Sequence, residues 1–158
     1  MNPFNLVEIL KNHTVYIQTH NFPDPDAIAS AFGLQNFLAY HGVSATLCYD
    51  GKIDRLSVKK MLETFGITMF SKNDVPDMTE DDYIVLVDSQ KKNSNVTDLI
   101  GDEVACIDHH PIFFHNEYLY QDIRPVGSCS CLIASYFQST DTPIDAKCAA
   151  ALAYGIKM

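Results

Sequence analysis

The chain has 158 residues, 47% hydrophobic and 20% charged, and its 20 Asp and Glu outnumber 11 Lys and Arg to leave a net charge of -9. At this length a domain buries about two thirds or more of its unfolded surface, so one core forms without disulfides or structural metal, and a disordered chain or mini-protein is excluded. The acidic balance excludes a broad basic groove for long duplex nucleic acid, which needs many Lys and Arg at phosphates.

In chain order, Val15-Tyr16-Ile17-Gln18-Thr19 opens on a short apolar run and reads as a strand. Asp26 to Tyr40 reads as a helix, with Ala27, Ala31, Leu34, Phe37 and Leu38 at three- and four-residue steps and Gly42 as its stop. A strand at Ser44 to Tyr49 and a helix over Leu56 to Phe65 ended by Gly66 follow, then a short strand at Ile67 to Phe70. Ser71 to Asp82 is polar and contains Pro76. Tyr83 to Val87 is uniformly apolar, the mark of a strand buried on both faces of a parallel sheet, and Val104 to Ile107 is another. Tyr118 to Ile123 reads as a strand, and Ser128 to Phe137 and Ile144 to Ile156 read as helices. This succession predicts one α/β domain, a mostly parallel sheet with helices on both faces.

Five Cys residues without paired spacing, and a start lacking a basic stretch before a long apolar run, predict a reducing cytoplasmic setting. No apolar run approaches the ~20 residues of a membrane-spanning helix, so no membrane partner is expected.

His20, Asp24 and Asp26 follow the first strand, Asp88 follows Val87, and Asp108-His109-His110 follow Ile107. In an open parallel sheet such strand ends face one crevice, so three segments deliver carboxylates and imidazoles to one place. Their mutual repulsion calls for cations. Oxygen-rich ligation with a few imidazoles suits Mn²⁺, with Mg²⁺, Fe²⁺, Co²⁺ or Zn²⁺ as alternatives. The carboxylates suffice for two ions about 3.5–4 Å apart bridged by one Asp, an arrangement that activates water against a phosphoryl group; Asp88 is the bridging candidate.

His20-Asn21-Phe22-Pro23-Asp24-Pro25-Asp26-Ala27-Ile28-Ala29-Ser30, Val87-Asp88-Ser89 and Asp108-His109-His110-Pro111 closely resemble, in order, the first three motifs of the DHH phosphoesterases. The likeness is greatest to the oligoribonuclease and phosphoadenosine phosphatase branch, with cyclic-dinucleotide phosphodiesterases near it. The resemblance implies that His20, Asp24 and Asp88 hold one Mn²⁺ and that Asp26, Asp88 and His109 hold a second. It further implies that His110 faces the substrate phosphate, that Asp108 orients the motif, and that metal-activated water attacks phosphorus. The implied substrates are small nucleotides or short oligonucleotides, and the implied assembly is a homodimer. In such proteins a fourth motif, an Asp often followed by Thr, comes shortly after a helix like Ala149 to Lys157 and adds a ligand. The resemblance therefore predicts a catalytic domain truncated at Met158, before that motif and before a smaller carboxy-terminal substrate-binding domain.

Each feature has a plainer reading. Asp26 is a natural N-cap for the helix it opens, and Asp88 alone is an ordinary strand-end residue. The haloacid-dehalogenase pattern does not fit, because Asn21-Phe22-Pro23 separate the strand from Asp24. His13, His41 and His115 read as structural or solvated, and Cys129 and Cys131 have the wrong spacing for zinc. Gly127-Ser128 opens a helix whose free N–H groups suit a phosphate, with Arg124 upstream as a further donor. Lys91 and Lys92 read as a solvated pair. An inorganic pyrophosphatase shares the metal chemistry, yet the residues around Pro25 look less like that branch. The rivals are a dinucleotide phosphodiesterase and a catalytically impaired nucleotide-binding module.

Overall fold

In the computed structural model, which describes residues 1–75 and 77–158, the chain folds as α1 (Pro3–Leu10), β1 (Val15–Gln18), α2 (Pro25–Tyr40), β2 (Ala45–Tyr49), α3 (Leu56–Phe65), β3 (Met69–Ser71), β4 (Tyr83–Val87), β5 (Asp102–Asp108), β6 (Tyr120–Ile123), α4 (Cys129–Ser139) and α5 (Ala146–Lys157). Pro76, in the polar stretch before β4, lies outside the described residues. The element absent from the sequence reading is α1. Its start is a recognisable signal, since the Asn2 side chain accepts from Phe4 N–H and Pro3 sits in the first turn. Its buried face, Leu6, Val7 and Leu10, is too short for a convincing period.

The strands form one six-stranded sheet, all parallel, in the order β3-β2-β1-β4-β5-β6. Growth reverses direction between β1 and β4, which makes their carboxyl ends the switch point where parallel α/β sheets hold ligands. Registers Gln18 to Leu86 and Val87 to Ile107 bring the three ends level. The residues just past them, His20, Asp88 and Asp108, thereby share one edge.

Alternate strand residues face opposite sides. Val15, Ile17, Leu47, Val85, Val87, Ala105 and Ile107 enter the larger core cluster, to which all five helices contribute. Tyr16, Cys48, Ile84 and Leu86 enter a smaller one, packed by Val75, Met78, Val96 and Leu99 from connecting segments. The α/β domain with a parallel sheet that the sequence predicts is what forms, with the five helices contributing to the larger cluster and connecting segments packing the smaller one. Right-handed crossovers put the β4–β5 and β5–β6 connections on the second face, and these stretches, the first with Ser89, Asn93, Ser94 and Asn95 and the second with Pro111, carry no helical period.

Helix α2 is buried on most of its surface, by α4, α5 and the sheet. Its small residues permit the approach. A Cβ on Gly33 would lie 2.7 Å from Leu152 Cδ2, and one on Gly155 would lie 2.5 Å from both Ala29 Cβ and Ser130 Oγ. This close fit sets the start of α4 against the start of α2.

Candidate metal centre

The loop after β1 turns sharply, with Phe22 at φ 53°, and delivers His20, Asp24 and Asp26 to the sheet edge. His20 Nδ1–H donates to the Asn21 carbonyl oxygen at 2.9 Å. That leaves Nε2 aimed at Asp24 Oδ1, 3.6 Å away, and Asp88 Oδ2, 3.4 Å away. Asp24 is the N-cap of α2, its Oδ1 accepting from Ala27 N–H at 2.9 Å. The cap expected at Asp26 is therefore one residue pair earlier, and Asp26 is free for another task. Its carboxylate accepts from Cys129 N–H (3.0 Å), Ser130 N–H (2.9 Å) and Ser130 Oγ–H (2.7 Å), closing the start of α4 across space.

Asp88 stands at the middle of the group and is 2% exposed. Its φ of 57° is a costly left-handed conformation for a residue with a side chain, and the Asp88 N–H to Ile107 carbonyl bond of 3.0 Å helps hold it. Asp88 Oδ1 lies 3.1 Å from His109 Nε2, and His109 Nε2 lies 3.5 Å from Asp26 Oδ2. His109 Nδ1–H donates to the Val126 carbonyl oxygen at 3.1 Å. Both imidazoles thus spend Nδ1 on a main-chain oxygen and turn Nε2 toward carboxylates, the tautomer and aim of metal-ligating histidines.

Asp108, fully buried, holds His110 through a 2.7 Å bond from Nδ1–H to Oδ1. Gln90 Nε2–H donates to Asp108 Oδ2 at 2.8 Å and to the His110 carbonyl at 3.1 Å, fixing the motif from below. The His110 side chain is 48% exposed and half open to the cleft. Two sets of side chains have ligand atoms within 4.8 Å of one another: Asp88, Asp108, His109 and His110, and His20, Asp24 and Asp88. Asp88 belongs to both, and Asp26 joins through His109.

The electrostatics fit a divalent cation. Burial pushes Asp88 above the usual carboxylate range, and the neighbouring carboxylates of Asp26 and Asp24 push it further, against His20. Burial alone would lower His20, but the carboxylates of Asp24 and Asp88 outweigh it and raise it to about 10. Burial also opposes the charge on Asp24, yet bonds from His20 and Ala27 N–H hold it below its ordinary value. A set of carboxylates that must borrow an imidazolium for neutrality is a set prepared for a stronger cation.

Residues around a cleft of about 520 Å³ include His20, Asp24, Asp26, Asp88, His109, His110 and Ser128. Arg124 is not among its lining residues. Its guanidinium is bound by Asp122 at 2.7 and 3.0 Å, and Tyr136 donates to the same carboxylate at 2.8 Å. The start of α4 is also spent, with two N–H groups on Asp26 and Cys131 N–H on Ser128 Oγ. Neither Arg124 nor the helix start is presented as the free anion holder that the sequence suggests. His13 stacks on Tyr83 with centroids 3.8 Å apart, and His41 Nε2 meets Thr142 Oγ1 at 2.9 Å. All five cysteines are free thiols. Lys91 pairs with Glu103 at 3.7 Å. Sequence reasoning missed Gln90, the carbonyls of Asn21 and Val126, and the grip of Ser130 on Asp26. Only Gln90, two residues past Asp88, has a position that hinted at its use.

Comparison with known proteins gives the family. Residues 14–156 match the model of the DHH family, N-terminal domain. An uncharacterised protein of Methanocaldococcus jannaschii is 32% identical over 151 residues, covering 93% of this chain and 30% of the relative. A manganese-dependent inorganic pyrophosphatase of the same organism is 30% identical over 126 residues, covering 77% and 38%. A probable manganese-dependent inorganic pyrophosphatase of Clostridium acetobutylicum is 32% identical over 147 residues, covering 82% and 42%. The chain thus spans 30% to 42% of the length of these relatives. The residues around Pro25 therefore do not separate it from the pyrophosphatase branch. The crystal structure of an exopolyphosphatase-related protein from Bacteroides fragilis superposes with a TM-score of 0.68 at 16% identity, over 97% of this chain and 48% of that one, a likeness of fold. Since the family match runs over nearly the whole sequence and the fold agrees with it, this chain belongs to the DHH family, as its N-terminal domain.

Proposed function

We propose that the chain is the metal-holding domain of a Mn²⁺-dependent phosphoesterase acting on phosphate esters of small nucleotides or short oligonucleotides, of the 3′-phosphoadenosine 5′-phosphate or short-RNA type. The observation that carries this is the aim of two Nε2 atoms, from His20 and His109, at the carboxylates of Asp24, Asp26 and Asp88 within 3.1 to 3.6 Å. In this reading His20, Asp24 and Asp88 hold one ion, and Asp26, Asp88 and His109 hold the other. Bound there, the ions supply Lewis acidity and lower the pKa of water. The protein's own part is to hold these ligands rigid, to keep Asp88 shared, and to present His110, oriented by buried Asp108, to the phosphate. Ser128 borders the cleft and forms its wall beside Asp26. A reducing cytoplasmic setting and a homodimer belong to the same reading.

A second reading, hydrolysis of inorganic pyrophosphate, is favoured by the relatives at 30% and 32% identity that carry that activity in their names. The first experiment is calorimetric titration of Mn²⁺ into the metal-stripped chain and its Asp88→Ala variant, with circular dichroism verifying that both are folded. Two sites, both lost or badly weakened in the variant, support the shared-carboxylate centre, and absence of binding by the folded wild type overturns it. Turnover of 3′-phosphoadenosine 5′-phosphate, a linear dinucleotide and pyrophosphate then separates the two readings.

A further inference from the structure

A second cleft, of about 580 Å³, adjoins the metal-ligand group, sharing Asp88 and His110 with it and ending at Phe113 and Phe114. Resting on the phosphoesterase reading, we propose that this cleft is a nucleoside subsite, in which a nucleobase stacks on the Phe113 and Phe114 rings while its phosphate reaches His110 and the metal ligands.

Phe113 and Phe114 are 74% and 48% exposed, an aromatic pair left open beside a polar site. Single exposed apolar residues are ordinary, but an adjacent pair lining a concave site beside ionic groups is a surface built for flat apolar rings. Phe113 lies three residues past His110, at most about 11 Å of extended chain, a separation that one nucleoside phosphate spans.

The rest of the lining offers what a nucleoside needs besides stacking. Lys92 sits at φ 75°, uncommon for a lysine, in a turn held by Asn116 Nδ2–H on the Lys91 carbonyl (3.0 Å) and by Lys91 N–H on the Tyr118 hydroxyl (3.0 Å). Lys91 is paired with Glu103, whereas Lys92 has no ion pair among the described residues and is the lysine of this lining. Asn93 and Asn95 also line this cleft, and no hydrogen bond within the described protein engages their side-chain amides. Two amides with free donors and acceptors suit the edge of a base. Pyrophosphate, small and wholly charged, fills only the metal end and gains nothing from two phenyl rings. The cleft therefore bears on which of the two activities this domain serves.

The test uses the Mn²⁺-loaded chain with inorganic phosphate, ribose 5-phosphate and adenosine 5′-monophosphate as probes, in wild type and in a Phe113→Ala/Phe114→Ala double variant. Both positions are exposed, so the variant keeps its fold. The expected result is that adenosine 5′-monophosphate binds at least tenfold more tightly than ribose 5-phosphate, and that the gap falls below threefold in the double variant with phosphate affinity unchanged. Equal affinities in the wild type, or a gap that survives the double substitution, overturn the subsite. Quenching of 2-aminopurine riboside, which lacks phosphate, is read in parallel at millimolar chain. Quenching lost in the double variant supports the subsite even where phosphate fails to bind, an outcome that would sink the phosphoesterase reading alone.

Discussion

Gly155→Ala probes the helix contact that links the core to the candidate metal ligands. A Cβ at this position meets Ala29 Cβ and Ser130 Oγ, each at 2.5 Å. Neither neighbour can yield cheaply. Ala29 is fully buried and its methyl moves only with α2, while Ser130 Oγ is tied to Asp26 Oδ1 at 2.7 Å. Replacing Gly by Ala in a helix gains about 1 kcal/mol of propensity. Overpacking a rigid site costs about 1–3 kcal/mol, and two contacts this short put the cost at the upper end, so a net loss of about 2 kcal/mol is expected. With an unfolding entropy of about 2.1 cal/mol/K per residue, this 158-residue domain loses about 6 °C in melting temperature. Displacing Ser130 also removes one of the three donors on Asp26, and disturbing such a supporting bond lowers metal affinity about tenfold. Thermal melts of the metal-free chain and Mn²⁺ calorimetry read both effects. Gly127→Ala, where nothing lies within 4 Å of the added Cβ, is the control. A Gly155→Ala chain that melts at or above wild type would refute the close-approach reasoning.

Asp24→Asn keeps the N-cap of α2, since Asn caps as well as Asp, but removes the charge whose pairing with His20 holds Asp24 below its ordinary value; at neutral pH stability should fall by no more than about 1 kcal/mol while Mn²⁺ binding weakens, and lost stability with unchanged Mn²⁺ binding would place Asp24 in a purely structural role. Asp122→Asn loosens Arg124, whose N–H binds the Asp108 carbonyl and whose carbonyl accepts from Val126 N–H, so the oxygen that orients His109 shifts. Urea unfolding should register about 1–3 kcal/mol, with weaker Mn²⁺ binding, and unchanged affinity would detach this network from the site. Because Asp24 and Asp88 raise His20 to about 10, its Nε2 holds a proton at neutral pH in the metal-free chain, and a cation must displace it. Apparent Mn²⁺ affinity should therefore rise by about tenfold per pH unit for that one proton, up to about pH 10; calorimetry in buffers of different ionisation enthalpy counts the proton, and a flat profile from about pH 6 to 9 would contradict the pairing.

The period of apolar residues made most of this fold readable along the chain. α3 occupies Leu56–Phe65 and β4 occupies Tyr83–Val87, as their patterns predict, because a helix ended by an αL glycine at φ 64° and a strand buried on both faces are decided locally. β3 was displaced to Met69–Ser71 because the partner strand sets the start of a short edge strand through its pairing of Leu47 to Met69. Motif residues were readable too, since His20, Asp24, Asp26, Asp88, His109 and His110 follow strand ends and Asp108 closes β5. Tertiary structure alone decided what surrounds them. The sheet order brings β1, β4 and β5 side by side, the glycine contacts set α4 against α2, and the resulting geometry moves the cap to Asp24, gives Asp26 to α4, and draws Arg124 away to Asp122. Such pairings join residues up to 104 positions apart. A sequence records which side chains can accept a hydrogen bond, whereas which donor arrives depends on how distant backbones pack.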